Sequence, residues 1–146
     1  MAHYLFNVST GDREEAVARL RAKMWGIGDD DRHRDALAPG DLALIYVATP
    51  DGGFIGRAEL ETAVHEWAPS EAHASPGDSR SDVLLSEVER WDRAVPMATV
   101  VARVDPTASN PQVQVNAKDG FGSGVVLLTD DEYEAAVTVS REYQAT

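Results

Sequence analysis

The sequence predicts one domain of mixed α and β structure, an α+β fold in which helices flank a β-sheet. Residues 3–8 alternate apolar and polar positions, a pattern typical of a half-buried strand. Residues 42–67 hold two apolar runs around a Pro-Asp-Gly-Gly turn, which predicts a β-hairpin. Apolar residues recur at helical spacing after residue 12 and after residue 129. The elements follow in the order strand, two helices, several strands and a final helix.

The first helix is predicted over residues 12–24. Asp12 followed by Glu15 suits a helix start, and an apolar stripe follows at helical spacing, formed by Ala16, Val17, Leu20 and Met24. The Arg and Lys side chains of this helix are expected to face water. The acidic run 29–31 predicts a short second helix that continues to about Ala38.

Pro39 and Gly40 end that helix, and the hairpin begins directly after them. Its strands are predicted at residues 42–49 and 54–67, with the turn at 50–53. The following segment, residues 68–81, is rich in Ala, Ser, Pro and acidic residues, which indicates an exposed loop.

Three further strands are predicted in the second half of the chain, at residues 88–95, 98–104 and 112–115. Prolines 96, 106 and 111 interrupt this region, as expected between strands. Thr129 followed three residues later by Glu132 is a capping box, which predicts a final helix over 130–142. Its apolar stripe consists of Tyr133, Ala136 and Val137.

Length and composition set the broad class. A chain of 146 residues fits a single domain, residues 1–146, and can bury a core without covalent staples. There is no Cys, so a disulfide framework and thiolate metal ligands are excluded. No segment reads as an export signal or is apolar over the roughly 20 residues that span a bilayer. We therefore expect a cytoplasmic protein without a membrane partner.

The net charge of -12 argues against non-specific attraction to a polyanion. Basic residues nevertheless fall close together in the first quarter of the chain, so that one face could be positive locally. They are Arg13, Arg19, Arg21, Lys23, Arg32 and Arg34.

Motifs for catalysis, cofactors or metals are absent from the sequence. The four histidines, at positions 3, 33, 65 and 73, lack metal-ligand spacing. Glycines 120, 122 and 124 alternate, which differs from the dinucleotide-binding pattern, and no nucleophile motif surrounds Ser123. We nominate no catalytic residue, no metal ligand and no cofactor.

Aromatic residues near element ends are the strongest functional signal. Trp25, Trp67, Trp91 and Phe121 are flanked by glycine or charge instead of by apolar runs. Such rings can stack on a planar ligand, although ordinary core packing explains most single tryptophans.

Four segments, taken in order, resemble the EVE domain, a member of the PUA-like superfamily related to the YTH readers of methylated adenine. They are YLFNVS, MWGIG, RDALAPGDLALIYVATPDGGFIGRAEL and FGSGVVLLTDDEYEAAV, and together they span nearly the whole chain. Within the third, Gly56 is expected to permit close backbone approach. The resemblance implies a PUA-like curled mixed β-barrel flanked by helices, with a pocket for one modified base swung out of its strand.

Carried over by position, the resemblance makes Trp25 the first wall of an aromatic cage, with Gly26 as a backbone contact. The resemblance places Phe121 at the far rim of the cage. It also implies that Asn7 and Ser9 form hydrogen bonds with the base. The second wall is assigned to Trp91, with Trp67 as the alternative. For phosphate contacts we nominate Arg32, Arg34 and Lys118.

The function implied is a nucleic-acid-binding reader that holds a flipped-out methylated base, with DNA favoured over RNA as the partner. A small-molecule protein that binds a free nucleobase or planar metabolite is the alternative, because it needs no phosphate contacts and suits the negative charge. A third reading is an RNA-processing enzyme, or the reader part of a modification-dependent nuclease, with the nuclease domain or subunit as its partner.

Overall fold

A computed structural model describes residues 2–7, 13–27, 34–47, 53–66, 81–96, 99–100, 103 and 125–145. Its strands are β1 (His3–Asn7), β2 (Met24–Gly26), β3 (Leu42–Val47), β4 (Gly53–Leu60), β5 (His65–Glu66), β6 (Ser81–Pro96) and β7 (Val125–Leu128). Its helices are α1 (Arg13–Ala22) and α2 (Asp130–Ala145), with a 3-10 turn at Arg34–Ala36.

The strands described form one curled sheet in the order β2-β6-β4-β3-β1-β7, and β5 pairs with β6 beside this path. β1 runs parallel to β3, whereas the other pairs are antiparallel. Register shifts interrupt the β3–β4 and β4–β6 ladders. Such irregularities bend strands and increase their twist. The predicted α+β, PUA-like architecture of a curled mixed sheet with flanking helices is therefore confirmed.

Two hydrophobic clusters cover the two faces of this sheet. α1 contributes Ala16 and Leu20 to the first cluster, together with Phe6 and Trp25. α2 contributes a second set to the other cluster, consisting of Tyr133, Ala136, Val137 and Val139. Successive residues of a strand point to opposite faces, which explains why Phe6 and its neighbour Leu5 belong to different clusters. α1 and α2 each pack by residues of their predicted apolar stripes, but Met24, the last residue predicted for the α1 stripe, lies in β2.

The capping box at the start of α2 is confirmed. The backbone N–H of Glu132 donates to Thr129 Oγ1 at 3.1 Å, and the Thr129 N–H donates to Glu132 Oε1 at 2.9 Å. These two bonds satisfy donors that the first helical turn leaves free.

The Pro-Gly-Asp turn before β3 is held by its aspartate. Gly40 has a φ of 90°, in the left-handed region that favours glycine. The buried Asp41 carboxylate accepts hydrogen bonds from the N–H groups of Ala2 and Ala38, each at 3.0 Å. The turn therefore fixes the start of β1 against the start of β3.

Gly56 allows the close backbone approach that its position implies. A Cβ atom added there would clash with the carbonyl oxygen of Glu89 on β6. The absence of a side chain at Gly56 therefore sets the distance between β4 and β6.

The prediction of one long strand over 54–67 is wrong, because two separate strands occupy this range. β4 ends at Leu60, and β5 begins only at His65. Between them the chain turns, and Thr62 Oγ1 accepts a hydrogen bond from the Leu84 N–H at 3.1 Å. This side-chain oxygen takes the place of a ladder partner and interrupts the strand.

The strand predicted over 98–104 is also wrong, because residues 99, 100 and 103 are helical. Val100 is buried in the second cluster, while Thr99 and Arg103 contact Tyr143 and Glu142 of α2. Packing against α2 overrides the β preference of Val100. The predicted strand 112–115 and the loop before Ser81 lie outside the described residues.

The short helix predicted to run to Ala38 has only its end in the described part, where Arg34–Ala36 form the 3-10 turn. Among the described helices, none is long and apolar enough to cross a membrane.

Leu20→Ala is expected to lower the free energy of unfolding by about 2–5 kcal/mol, because the lost side chain leaves a cavity. Leu20 is 1% exposed. Arg21 lies on the exposed side of α1, so Arg21→Ala should change the free energy of unfolding by less than about 0.5 kcal/mol. Urea titrations of the two variants test the orientation of α1, and equal losses would contradict it.

Candidate functional site

Trp25 lies in the core of the domain. Its strand β2 pairs with the first residues of β6, with Trp25 opposite Val83, and the side chain is 1% exposed. The Phe6 ring stacks on the indole, with ring centroids 5.8 Å apart and planes inclined by 29°. The guanidinium of Arg19 lies over the same indole, 5.1 Å from its centroid. In this structure the ring is therefore packed by the protein itself, and its assignment to a cage stays a prediction.

Arg19 departs from the expectation that the basic residues of α1 face water. Its side chain is only 8% exposed, and Nη2 donates to Glu15 Oε1 at 2.9 Å. Nη1 makes a longer contact of 3.5 Å with the carbonyl oxygen of Gly26, the predicted backbone contact of the base. The ion pair and the cation–π contact with Trp25 together compensate the lost hydration of the charge.

Asn7 ends β1 beside Tyr46 of β3. Because side chains alternate along a strand, Asn7 shares its face with Leu5, whereas Phe6 points to the face that holds Trp25. The structure therefore does not bring the Asn7 side chain to the Trp25 indole.

Trp91, the predicted second wall, belongs to the second cluster and is 4% exposed. It follows Val83, the partner of Trp25, by eight residues on β6. That separation is about 26 Å along a strand. The structure therefore does not bring the two tryptophans together. The alternative, Trp67, lies outside the described residues, although the strand that precedes it, β5, pairs with β6 at Ser81 and Asp82, near β2.

Arg34 is held within the fold. Its Nη2 donates to Ser81 Oγ at 2.9 Å and Nη1 contacts the Ile27 carbonyl oxygen at 3.5 Å, so that it links the start of β6 to the end of β2. Its phosphate-contacting role stays a prediction. Four other nominated residues lie outside the described part of the chain: Ser9, Arg32, Lys118 and Phe121.

An open groove of about 360 Å³ lies between α1 and the sheet. We call it the α1–β6 groove; its lining residues are Arg13, Val17, Ile55, Arg90, Trp91 and Asp92. Arg13 and Val17 are one helical turn apart on α1, and Ile55 is a buried residue of β4. Arg90 and Asp92 lie two residues apart on β6, on the same face. The volume falls within the range of small-ligand pockets.

Charged side chains line the α1–β6 groove. Arg90 and Asp92 are exposed and Arg13 is half-buried. Among the residues that the structure describes, the side chains of Arg13, Arg90 and Asp92 make no ion pair or hydrogen bond. Two guanidinium groups and one carboxylate give the groove a net positive charge on a chain of net charge -12.

The indole of Trp91 is held by a carboxylate. Its Nε1–H donates to Glu89 Oε1 at 2.9 Å, and the other oxygen, Oε2, accepts a bond of 3.0 Å from Arg57 Nε. The bond from Trp91, followed by the bond and charge of Arg57, lowers the pKa of Glu89 from its ordinary value of 4.5, although partial burial opposes this. Arg57 also interacts with the Tyr133 hydroxyl on α2, whose pKa is raised by burial.

The sequence did not reveal most of the residues that line the α1–β6 groove. Of its lining residues only Trp91 was nominated, because helix phase alone does not reveal that α1 leaves part of β4 and β6 uncovered. One signal was present: charged residues at 90 and 92 flank Trp91 with the period of a strand. Within the described ranges, no cluster of three or more His, Asp or Glu residues could hold a metal ion.

Comparisons with known proteins identify the fold. No family model and no curated protein matches the sequence. A hypothetical protein from Leishmania major covers 99% of this chain and 97% of its own, with 15% identity and a TM-score of 0.71. The structure of human THYN1 in complex with 5-methylcytosine containing DNA aligns with 96% of this chain and 98% of the THYN1 chain, with 16% identity and a TM-score of 0.63. ASCH from Zymomonas mobilis covers 94% of each chain, with 16% identity and a TM-score of 0.58. The chain has an EVE-like fold of the PUA-like type.

Trp25→Ala is expected to lower the free energy of unfolding by about 3–5 kcal/mol, because it removes a large buried ring. Trp25→Phe keeps part of the packing against Phe6 and should cost clearly less. Guanidinium titrations of both variants measure the difference. A Trp25→Ala variant of unchanged stability would contradict the core role and favour the predicted cage.

Proposed function

We propose that this domain reads nucleic acid, with DNA favoured, by holding one extruded modified base in the α1–β6 groove. The observation that carries the proposal is the groove itself: Arg13 and Arg90 make no ion pair with the other described residues, and together with Val17 and Ile55 they line an open volume of about 360 Å³. A structural neighbour, human THYN1, has been solved with 5-methylcytosine containing DNA, which supports this class of partner.

The apolar part of the groove suits the base. Val17 and Ile55 offer aliphatic surface. Extrusion costs a few kcal/mol of stacking, which contacts with this surface and with the polar groups of the groove must offset. A methyl group on the base adds apolar area, at about 0.8 kcal/mol for one buried carbon.

The polar part suits the edge of the base and its phosphate. Guanidinium groups bind phosphate oxygens through paired N–H donors, so Arg13 and Arg90 are assigned to the backbone. The carboxylate of Asp92 accepts hydrogen bonds, which fits the exocyclic amino group of a cytosine or adenine. In this arrangement the two arginines supply affinity, and Asp92 selects the base.

Phosphate contacts must be few on so acidic a chain. Long-range repulsion from a net charge of -12 opposes the approach of a polyanion, so binding relies on the local charge of the groove. We therefore expect modest affinity and a shallow dependence on salt.

A second candidate is a binding protein for a free nucleoside or another planar metabolite. The net charge favours it, because a neutral ligand avoids repulsion, and the volume of the groove is sufficient. We assign no catalysis to this domain in either case, and the first candidate is compatible with a nuclease domain or subunit as partner.

The test is a titration of a fluorescent single-stranded DNA oligonucleotide with one central 5-methylcytosine, and of its unmethylated form, followed by anisotropy. We expect tighter binding of the methylated strand. Arg13→Gln and Arg90→Gln should each weaken binding of both strands and reduce the slope of log affinity against log salt by about 0.7, the value of one contact to a single strand.

Arg21→Gln is the matched control, since it removes the same charge from the exposed side of α1. It should lower affinity less than the groove variants and leave the preference for the methylated strand unchanged. Equal effects of the three substitutions would overturn the assignment of the groove. Binding of free 5-methyldeoxycytidine without affinity for either oligonucleotide would establish the second candidate.

A further inference from the structure

We propose that Glu87 is a positioning residue, because its backbone conformation shifts the alternation of side chains along β6 and thereby turns Arg90 and Asp92 into the α1–β6 groove. The effect on ligand binding rests on the function proposed above. The conformation of Glu87 itself can be tested without any ligand.

The first step is a break in the alternation of β6. Before the break, Val83 and Leu85 belong to the first cluster. After it, Val88 and Ala94 pack against the same cluster, whereas Trp91 belongs to the second. The side chains of a regular strand return to one face at every second residue, but Leu85 and Val88 are three residues apart. One residue between them is therefore extra.

The second step locates the extra residue. Ser86 of β6 pairs with Glu59 of β4. Glu89, three residues further along β6, pairs with Arg57, which is only two residues from Glu59. Such a mismatch of one residue is a β-bulge. Within this interval Glu87 has a φ of 49°, in the left-handed region, and its side chain is exposed. Glu87 therefore marks the bulge.

The third step is the consequence for the groove. With unbroken alternation from Val83, the odd-numbered residues of β6 would face α1, and Trp91 would lie on that side. With the bulge, Arg90 and Asp92 share the α1 side with Val88, and Trp91 enters the cluster beneath α2. One backbone conformation thus determines both the burial of the tryptophan and the charge of the groove.

The fourth step is that this position requires a conformation and not a carboxylate. Among the described residues, the Glu87 side chain makes no hydrogen bond or ion pair. A residue with a Cβ atom is disfavoured at positive φ, whereas glycine is not. Strain of this kind persists where the surrounding structure imposes it, and it is concentrated at functional sites.

The ligand-free test compares glycine with alanine by thermal unfolding of the whole chain. In an ordinary strand glycine is the less stable of the two, and at positive φ the order reverses. Glu87→Gly should therefore unfold about 2 °C or more above Glu87→Ala. The same order is expected at Lys23, which has a φ of 57°, and the opposite order at Arg93, an exposed residue of β6 without positive φ. A Glu87→Gly variant that unfolds below Glu87→Ala would overturn the inference.

The first binding test compares two exposed arginines of β6. Arg90 lines the groove, whereas Arg93 shares the opposite face with Trp91. Arg90→Gln should weaken affinity for the methylated oligonucleotide about threefold or more and reduce the salt slope by about 0.7. Arg93→Gln removes the same charge and should change affinity by less than about 1.5-fold, with the salt slope retained. Without the bulge the two residues would exchange faces, and the two effects would be exchanged.

The second binding test addresses Glu87 directly. Deletion of Glu87 removes the extra backbone unit together with the side chain, whereas Glu87→Gly removes the side chain alone. The deletion variant should bind the methylated oligonucleotide at least about tenfold more weakly than Glu87→Gly, because the residues after the bulge change faces. A deletion variant that folds and binds as tightly as Glu87→Gly would contradict the role of the bulge. If the deletion variant does not fold, the comparison of Arg90 with Arg93 decides.

The outcomes separate the two proposals. If the wild type binds neither oligonucleotide, the proposed function fails, while the order of glycine and alanine at position 87 still decides the bulge. If the wild type binds but Arg93→Gln weakens binding as much as Arg90→Gln, the groove does not depend on the face that the bulge selects. The inference is then overturned and the proposed function is retained.

Discussion

The close contact between β4 and β6 is the constraint on which the rest of this structure depends. At Gly56 the two backbones approach so closely that any side chain would meet the carbonyl oxygen of Glu89. The register shifts on both sides of this point, at Phe54/Gly56 and at Arg57/Glu59, as expected where a ladder bends. Residues 90–92, which line the α1–β6 groove, directly follow this contact on β6.

The two halves of β6, on either side of the bend, contribute to different regions of the domain. Its first residues pair with β2 and enclose Trp25 in the cluster beneath α1, whereas its later residues carry Arg90, Trp91 and Asp92. Since one long strand serves both regions, two tryptophans that look equivalent in sequence have different surroundings. One is enclosed by Phe6 and Arg19, and the other is buried in the second cluster, where Glu89 accepts its N–H.

Helix α1 gives a similar contrast between two arginines. Arg19 lies among the buried residues of the helix, where Glu15 and the Trp25 indole compensate its charge. Arg13, near the helix start, faces the groove without an ion pair to another described residue. This placement also explains how a chain of net charge -12 keeps a positive groove.

The sequence by itself determined the local features of this protein, because each depends on neighbouring residues only. The capping box of Thr129 and Glu132 and the turn at Gly40 were predicted and confirmed. β1 is a strand as predicted, but it is buried on both faces instead of one, and Met24 of the predicted α1 stripe lies in β2. The resemblance of four segments, in their order along the chain, to the EVE domain predicted the fold. Only the tertiary structure decided the helical state of residues 99, 100 and 103, the burial of Arg19 and the separation of Trp25 from Trp91. These depend on which distant side chains meet across the curled sheet, and the period of a single strand or helix carries no information about that.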